Sequence, residues 1–226
     1  MAPKRKPPPG NQRNAISFAR NHRGMVVNKN GELVQFEANN EKKLIFKLER
    51  DPTVKNYISQ PETFILITDE GKKLRYTPDY KVLRWTGSIE YHEVTIESRR
   101  QNSQSLQERE KYATRLFTER NNLYVIHTDL TLPSGYEYEN LNSIFPFRSL
   151  IHLDLNRQLY WLDRIKGRGR VQLREELKNL EILLEGSLYM NTLYHMLWHN
   201  QIEIDWNRPF FLKGGIYPKT EIWVPE

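Results

Sequence analysis

The chain has 226 residues, 38% of them hydrophobic and 27% charged, a balance that fits one large folded domain or two small ones. It contains no cysteine, which excludes disulfide scaffolds, thiol catalysis, iron–sulfur clusters and zinc sites built on thiolates. No apolar run approaches the ~18–20 residues of a membrane span, and the first residues carry positive charge without an apolar stretch, so neither a membrane anchor nor a secretory signal is expected and a cytosolic setting is.

Charge is unevenly spread. Lys and Arg number 34 against 28 Asp and Glu, a net of +6. Residues 1–24 hold Lys4, Arg5, Lys6, Arg13, Arg20 and Arg23 and no acid, so the rest of the chain is formally neutral. A basic, proline-rich tail cannot bury apolar surface and is expected to stay disordered until it meets a phosphate backbone or an acidic face. A purely solubilising tail is the plainer alternative.

Past the tail, Met25-Val-Val27 and Glu32 to Phe36 alternate around Asn30-Gly31, which predicts a hairpin with a tight turn. Asn39 or Asn40 then caps a helix reaching about Arg50, with Leu44, Ile45 and Leu48 on one face, and Asp51-Pro52 stops it. Thr63 to Thr68 predicts a strand, Asp69 to Lys72 a turn, and Leu74 to Trp85 a second strand. Thr86-Gly87 turns the chain into a third strand, Ile89 to Ile96. From Ser103 to about Arg120 the period becomes helical, with Leu106, Tyr112, Ala113, Leu116 and Phe117 on one face. Leu123 to His127 follows as a β-branched and aromatic strand. The order predicts a mixed α/β sheet flanked by helices, and its last helix–strand unit implies one parallel pairing.

Composition shifts near Pro133-Ser-Gly135. Helices are predicted at Tyr138–Ser149, His152–Ile165, Val171–Leu184 and Ser187–His199, then two short strands at Gln201–Asp205 and Thr220–Val224. Helices followed by a small hairpin are the pattern of a winged helix-turn-helix.

Three acids stand out together: Glu41 in the first turn of the first helix, Asp79 in one predicted strand and Glu93 in the next. Asp79 and Glu93 are separated by 14 residues centred on position 86, so the Thr86-Gly87 turn sets them opposite each other. Opposed side chains lie about 4.5–5.5 Å apart at Cβ. Two carboxylates that close repel unless a cation neutralises them, and a hard divalent ion such as Mg²⁺ or Mn²⁺ is the usual solution, with Glu41 completing the cluster. Three solvated surface acids are the alternative.

The residues around these acids resemble a known family. Phe36-Glu-Ala-Asn-Asn-Glu41, Leu44-Ile-Phe-Lys-Leu48, Asp51-Pro52-Thr-Val54 and Gln60-Pro61 are followed in order by Tyr76-Thr-Pro-Asp79 and Tyr91-His-Glu93. The series is similar to the TnsA family, endonuclease subunits of heteromeric transposases in the PD-(D/E)XK nuclease superfamily, and Leu188 to Trp206 resembles that family's C-terminal winged-helix region. The resemblance spans roughly residues 30–226. After the basic tail that composition marks at 1–24, it implies a restriction-endonuclease-like domain at 25–135 and a winged-helix domain at 136–226. It also implies Mg²⁺-dependent cleavage of the 5′ ends of a mobile element, in a bacterial cytoplasm and at the nucleoid when bound to DNA. The implied partners are double-stranded DNA at transposon ends, a TnsB-type transposase, and a TnsC-type ATPase met through the C-terminal region. Asp79 and Glu93 match the metal ligands and Glu41 the helix glutamate.

One position departs from the pattern. The motif lysine belongs two residues beyond Glu93, where this chain has Thr95, and a neutral hydroxyl cannot replace that charge. Lys81, two residues after Asp79 and on the same strand face, is one candidate to supply it. The alternative is a catalytically weakened or inactive DNA-bound adaptor bridging the transposase and the ATPase.

Remaining motifs carry less. His195 and His199 have the spacing of a helical zinc pair but lack the glutamate after the first histidine and any third ligand, so packing is expected. His92 alternates to the sheet face opposite Glu93 and is expected to pack. Arg164, Lys166, Arg168 and Arg170 form a basic turn; Arg168 and Arg170 join the tail bases as expected DNA contacts, with a solvated loop as the alternative. Helix 187–199 offers only Asn191 and the adjoining Asn200 for base reading, so it is expected to be buried or to dock a protein.

Overall fold

The computed structural model describes residues 23–149, 153–180, 186–212 and 215–225. They form a mixed α/β protein with a mixed sheet, and divide into two compact units, one ending at Leu132 and the other starting at Pro133. No helix of the described residues is long and apolar enough to cross a membrane.

The first unit opens with a hairpin, β1 (Gly24–Val27) against β2 (Leu33–Phe36), as the alternation predicts. Gly31 takes φ +82° in its turn, a conformation that costs other residues a clash with Cβ. Helix α1 (Asn39–Arg50) buries Leu44, Ile45 and Leu48. Its N-cap is Ala38, which has no capping side chain, rather than Asn39 or Asn40. The carboxylate of Glu41 reaches back to accept from the Glu37 N–H at 2.8 Å, which ties the chain entering the helix to its first turn.

Strands β3 (Val54–Ser59), β4 (Phe64–Ile67), β5 (Lys73–Tyr76), β6 (Tyr80–Arg84) and β7 (Ile89–Val94) follow in order. Next come α2 (Glu97–Asn102), α3 (Gln104–Glu119) and β8 (Leu123–His127). The main sheet has the order β3-β6-β7-β8, antiparallel except for the parallel β7–β8 pair that the intervening helices make possible. The single strand predicted over 74–85 is two: β5 pairs with β4 in a separate hairpin, and β6 enters the main sheet. Pro78 lies at the break, where it has no N–H to give a ladder.

One face of the sheet packs Tyr57, Tyr80 and Val82 against Leu44, Ile45 and Leu48 of α1. The other meets α3 through Tyr91, Tyr112, Ala113 and Phe117. Phe117 is fully buried, stacked on Tyr91 at 4.2 Å and edge-on to Phe64 at 4.9 Å.

The second unit contains α4 (Gly135–Ile144), a 3₁₀ turn at Phe145–Arg148, α5 (Leu155–Ile165), β9 (Val171–Gln172), α6 (Leu173–Leu180) and α7 (Gly186–Trp198). It closes with β10 (Glu203–Ile204), β11 (Phe211–Leu212), β12 (Gly215–Ile216) and β13 (Glu221–Trp223). Strand β13 lies between β10 and β9 in a small antiparallel sheet, and β11 pairs with β12. Val171 and Gln172, expected to start a helix, pair instead with β13. The predicted helix 138–149 begins earlier, at Gly135, and tightens to 3₁₀ from Phe145, where Pro146 follows. Expected helical residues 152 and 181–184 lie outside the described residues. Trp161, Leu193, Met196, Leu197, Trp198, Phe210 and Ile222 are at most 1% exposed and make the core. Helix α7 is largely buried over its second half, from Thr192 to Trp198, while Leu188 in its first half is exposed.

Candidate active site

Three separate pieces of the first unit bring acids to one cleft. Glu41 stands in the first turn of α1, where the positive end of the helix favours a carboxylate. Asp79 immediately precedes β6, and its Oδ2 accepts from the Val94 N–H at 2.8 Å. The Asp79 carbonyl accepts from the Gln60 N–H at 2.6 Å. Gln60 holds φ +42°, uncommon for a residue with a side chain, so the bend before Pro61 seats the Asp79 backbone. In the β6–β7 hairpin the last pair is Tyr80 with His92, and the same register carried one step further sets Asp79 opposite Glu93. That is the opposition expected from the position of Thr86-Gly87.

Glu93 is only 7% exposed. Its Oε1 accepts from Arg109 Nη2 at 2.7 Å and its Oε2 from the Tyr76 hydroxyl at 2.8 Å. Burial first, and the Glu93 charge second, push the hydroxyls of Tyr76 and Tyr124 well up, so both remain neutral donors. Tyr76 also bonds the Tyr124 hydroxyl at 3.0 Å.

The cleft has a volume of about 480 Å³. It is lined by residues 38–41, Asp79, residues 93–96, Arg99, Leu106 and Arg109, so Glu41, Asp79, Glu93 and Thr95 all face it. Three carboxylates meet two guanidiniums there, leaving the lining net negative. Lys81 does not line it: its ammonium is 3.0 Å from Glu62 Oε1 and 5.7 Å from the Tyr91 ring. The cation that approaches Glu93 is Arg109, which the sequence reading missed. A signal existed. Arg109 lies one helical turn before Tyr112 and Ala113, on the apolar stripe of α3, where a charged residue needs a reason.

Among the described residues no group of three or more acidic or histidine side chains is placed to hold a metal ion. Glu41 is tied to the α1 terminus. The donor chemistry nevertheless suits Mg²⁺, which keeps several waters and takes one or two carboxylates. A carboxylate oxygen has two lone pairs, so accepting one hydrogen bond does not by itself bar it from a cation.

On the opposite sheet face, His92 does more than pack. Arg84 grips Glu90 through two hydrogen bonds of 2.9 and 2.7 Å, Glu90 Oε2 is 2.9 Å from His92 Nε2, and His92 Nδ1 shares a 2.9 Å hydrogen bond with His127 Nε2. The His92 bond and then Arg84 hold the Glu90 carboxyl down at about 2, against the opposing effect of burial. Burial, with His92 and Lys47 nearby, pushes His127 down to about 3.

The basic turn of the second unit splits in two. Arg164 and Arg168 reach the two oxygens of Glu176, which is 3% exposed, at 2.9 and 2.8 Å, so Arg168 is engaged in holding a buried acid. Arg170 instead lies 4.1 Å from the centre of the Trp223 ring. His195 and His199 bond the carbonyls of Phe147 and Arg148, each at 2.9 Å, which fixes α7 to the 3₁₀ turn. Of the tail bases only Arg23 is described, and it is exposed; Lys4, Arg5, Lys6, Arg13 and Arg20 lie outside the described residues. No protein-family model and no curated protein matches the chain.

Proposed function

We propose that the chain is a TnsA-like DNA endonuclease subunit of a cut-and-paste transposition complex, with a restriction-endonuclease-like first unit and a winged-helix second unit. The observation that carries this reading is the meeting of Glu41, Asp79 and Glu93, from a helix terminus, a strand entry and a strand, in one cleft with Arg99 and Arg109. Asp79 and Glu93 would hold Mg²⁺ or Mn²⁺. The ion, when bound, supplies Lewis acidity and a more acidic water for attack on a phosphodiester. Glu41 orients that water, and the guanidinium of Arg109 faces the scissile phosphate in place of the charge that Thr95 lacks. Lys81 takes no part, since Glu62 holds its ammonium away from the lining. A TnsB-type transposase and a TnsC-type ATPase are the expected partners, the latter met by the second unit.

The test is 5′-strand nicking of element ends by the complex reconstituted with its transposase and ATPase, in Mg²⁺ or Mn²⁺. Asp79→Asn should lower nicking at least about 100-fold, the scale of losing one group that stabilises transition-state charge. Nicking by Asp79→Asn at the wild-type rate would overturn the assignment. A second reading rests on the engagement of both Glu93 oxygens and on the neutral Thr95: a DNA-bound adaptor that has lost cleavage. It predicts no nicking by the wild type in a complex that still forms and still needs the chain for strand joining.

A further inference from the structure

The second unit has a pocket of its own, about 110 Å³, between the segment leading into β11 and the start of β13. Arg170, Arg208 and Lys219 line it together with Thr220, Asp205 and Glu221. Both acids are spoken for, at exposed sites: Arg208 Nε is 3.2 Å from Asp205 Oδ2, and Arg170 Nη1 is 4.0 Å from Glu221 Oε2. Exposed pairs of this kind hold weakly and yield to a better anion. Lys219 supplies the surplus positive charge. The guanidinium carbon of Arg170 lies 4.1 Å from the centre of the Trp223 ring, a contact that leaves its charge in place.

Thr220 is the second observation. It is 7% exposed, and both of its backbone groups are used, the N–H on the Tyr217 carbonyl at 3.0 Å and the carbonyl by the Leu173 N–H at 2.9 Å. Its hydroxyl is buried and has no hydrogen-bond partner. A buried hydroxyl left without a partner is costly, and its residue is one of those lining this pocket, together with three cations. It can donate to an oxyanion.

We infer that this pocket receives one phosphate of a DNA backbone. Its volume of about 110 Å³ is enough for a phosphate group. Such a contact orients the duplex and carries no base sequence, in keeping with the lack of base-reading side chains on α7. The inference rests on the reading that the chain works on DNA, and adds to it a grip remote in sequence from the carboxylates.

Two measurements on the full chain test it. The first titrates inorganic phosphate against chloride at constant ionic strength and follows the backbone amide NMR signals of Phe210, Lys219 and Thr220. The second measures affinity for a random-sequence 20-base-pair duplex at 50 and 200 mM salt. Phosphate should move these signals in the wild type and in Thr220→Ser, which keeps the hydroxyl, and move them far less in Thr220→Val and in the double variant Arg208→Ala with Lys219→Ala. Loss of one phosphate contact lowers the salt slope by about 0.9, so the fourfold salt step should weaken the wild type about 3.5-fold more than the double variant. Unmoved signals in the wild type overturn the pocket. Moved signals with an unchanged salt slope overturn its assignment to DNA and leave free phosphate as the ligand. Both outcomes are independent of Asp79→Asn, whose nicking tests the cleavage reading alone.

Discussion

Replacing Arg109 by Met removes a charge from the cleft while keeping a long apolar stem on α3. Glu93 is left buried without its cation; its side chain is 9% exposed and that of Arg109 is 34% exposed. Breaking a buried pair from one side costs about 3–5 kcal/mol, and the partial exposure of Arg109 brings the expected loss to about 2–3 kcal/mol. For a unit of this size the melting temperature should fall by at least about 8 °C. The cleft then holds three carboxylates and only Arg99, which favours a divalent cation more strongly than before. Mg²⁺ at one hundred times its dissociation constant would restore about 2.7 kcal/mol, close to the whole deficit. Thermal unfolding followed by near-ultraviolet circular dichroism, with Mg²⁺ titrated into wild type and variant, measures both effects. Adding Asp79→Asn should abolish the restoration. A variant as stable as the wild type, or one that Mg²⁺ leaves destabilised, would refute the reasoning.

Acid should weaken the first unit before most carboxylates titrate. His127 has a folded value of about 3 against an ordinary 6.5, so it stays neutral in the fold; its contribution is complete above pH 6.5 and is lost as pH falls toward 3. Glu90, at about 2 against 4.5, adds a second loss below about pH 4.5. Urea unfolding between pH 6 and 4 should show stability falling by up to about 1.4 kcal/mol per pH unit, and His127→Gln should flatten that fall; an unchanged slope would remove His127 as its source. In the second unit, Arg168→Ala should cost about 1–2 kcal/mol, because Glu176 is buried and keeps only Arg164. The same variant should leave the salt slope of duplex binding unaltered, and a drop near 0.9 would return Arg168 to the DNA contacts.

Much of the first unit was legible because its signals are local. Residues 24–36 alternate around a glycine that must turn, and the hairpin follows. The 79–93 opposition depended only on arithmetic about a Thr-Gly turn, and the β6–β7 register has that centre. Strand β3 escaped notice because Lys55 and Asn56 interrupt its apolar pattern at a register shift with β6. Helix α2 buries no residue, so no periodicity could mark it. Side-chain partnerships were the least accessible. Nothing about the spacing of Arg164, Arg168 and Arg170 separates the two that hold Glu176 from the one that rests on Trp223. That Arg109, and not Lys81, meets Glu93 likewise depends on where α3 lands across the sheet, where Phe117 stacks on Tyr91 and Tyr124.

Tyr76 bears on how freely this protein can drift. Its ring lies against Phe117 and Tyr124, in the aromatic layer that seats α3, while its hydroxyl holds Glu93. Any exchange for a smaller residue must satisfy two demands at once, one of shape and one of polarity. Phenylalanine alone separates them: it preserves the layer and silences a single oxygen, so its tolerance in a population of variants would report how much the cleft, rather than the scaffold, is under selection.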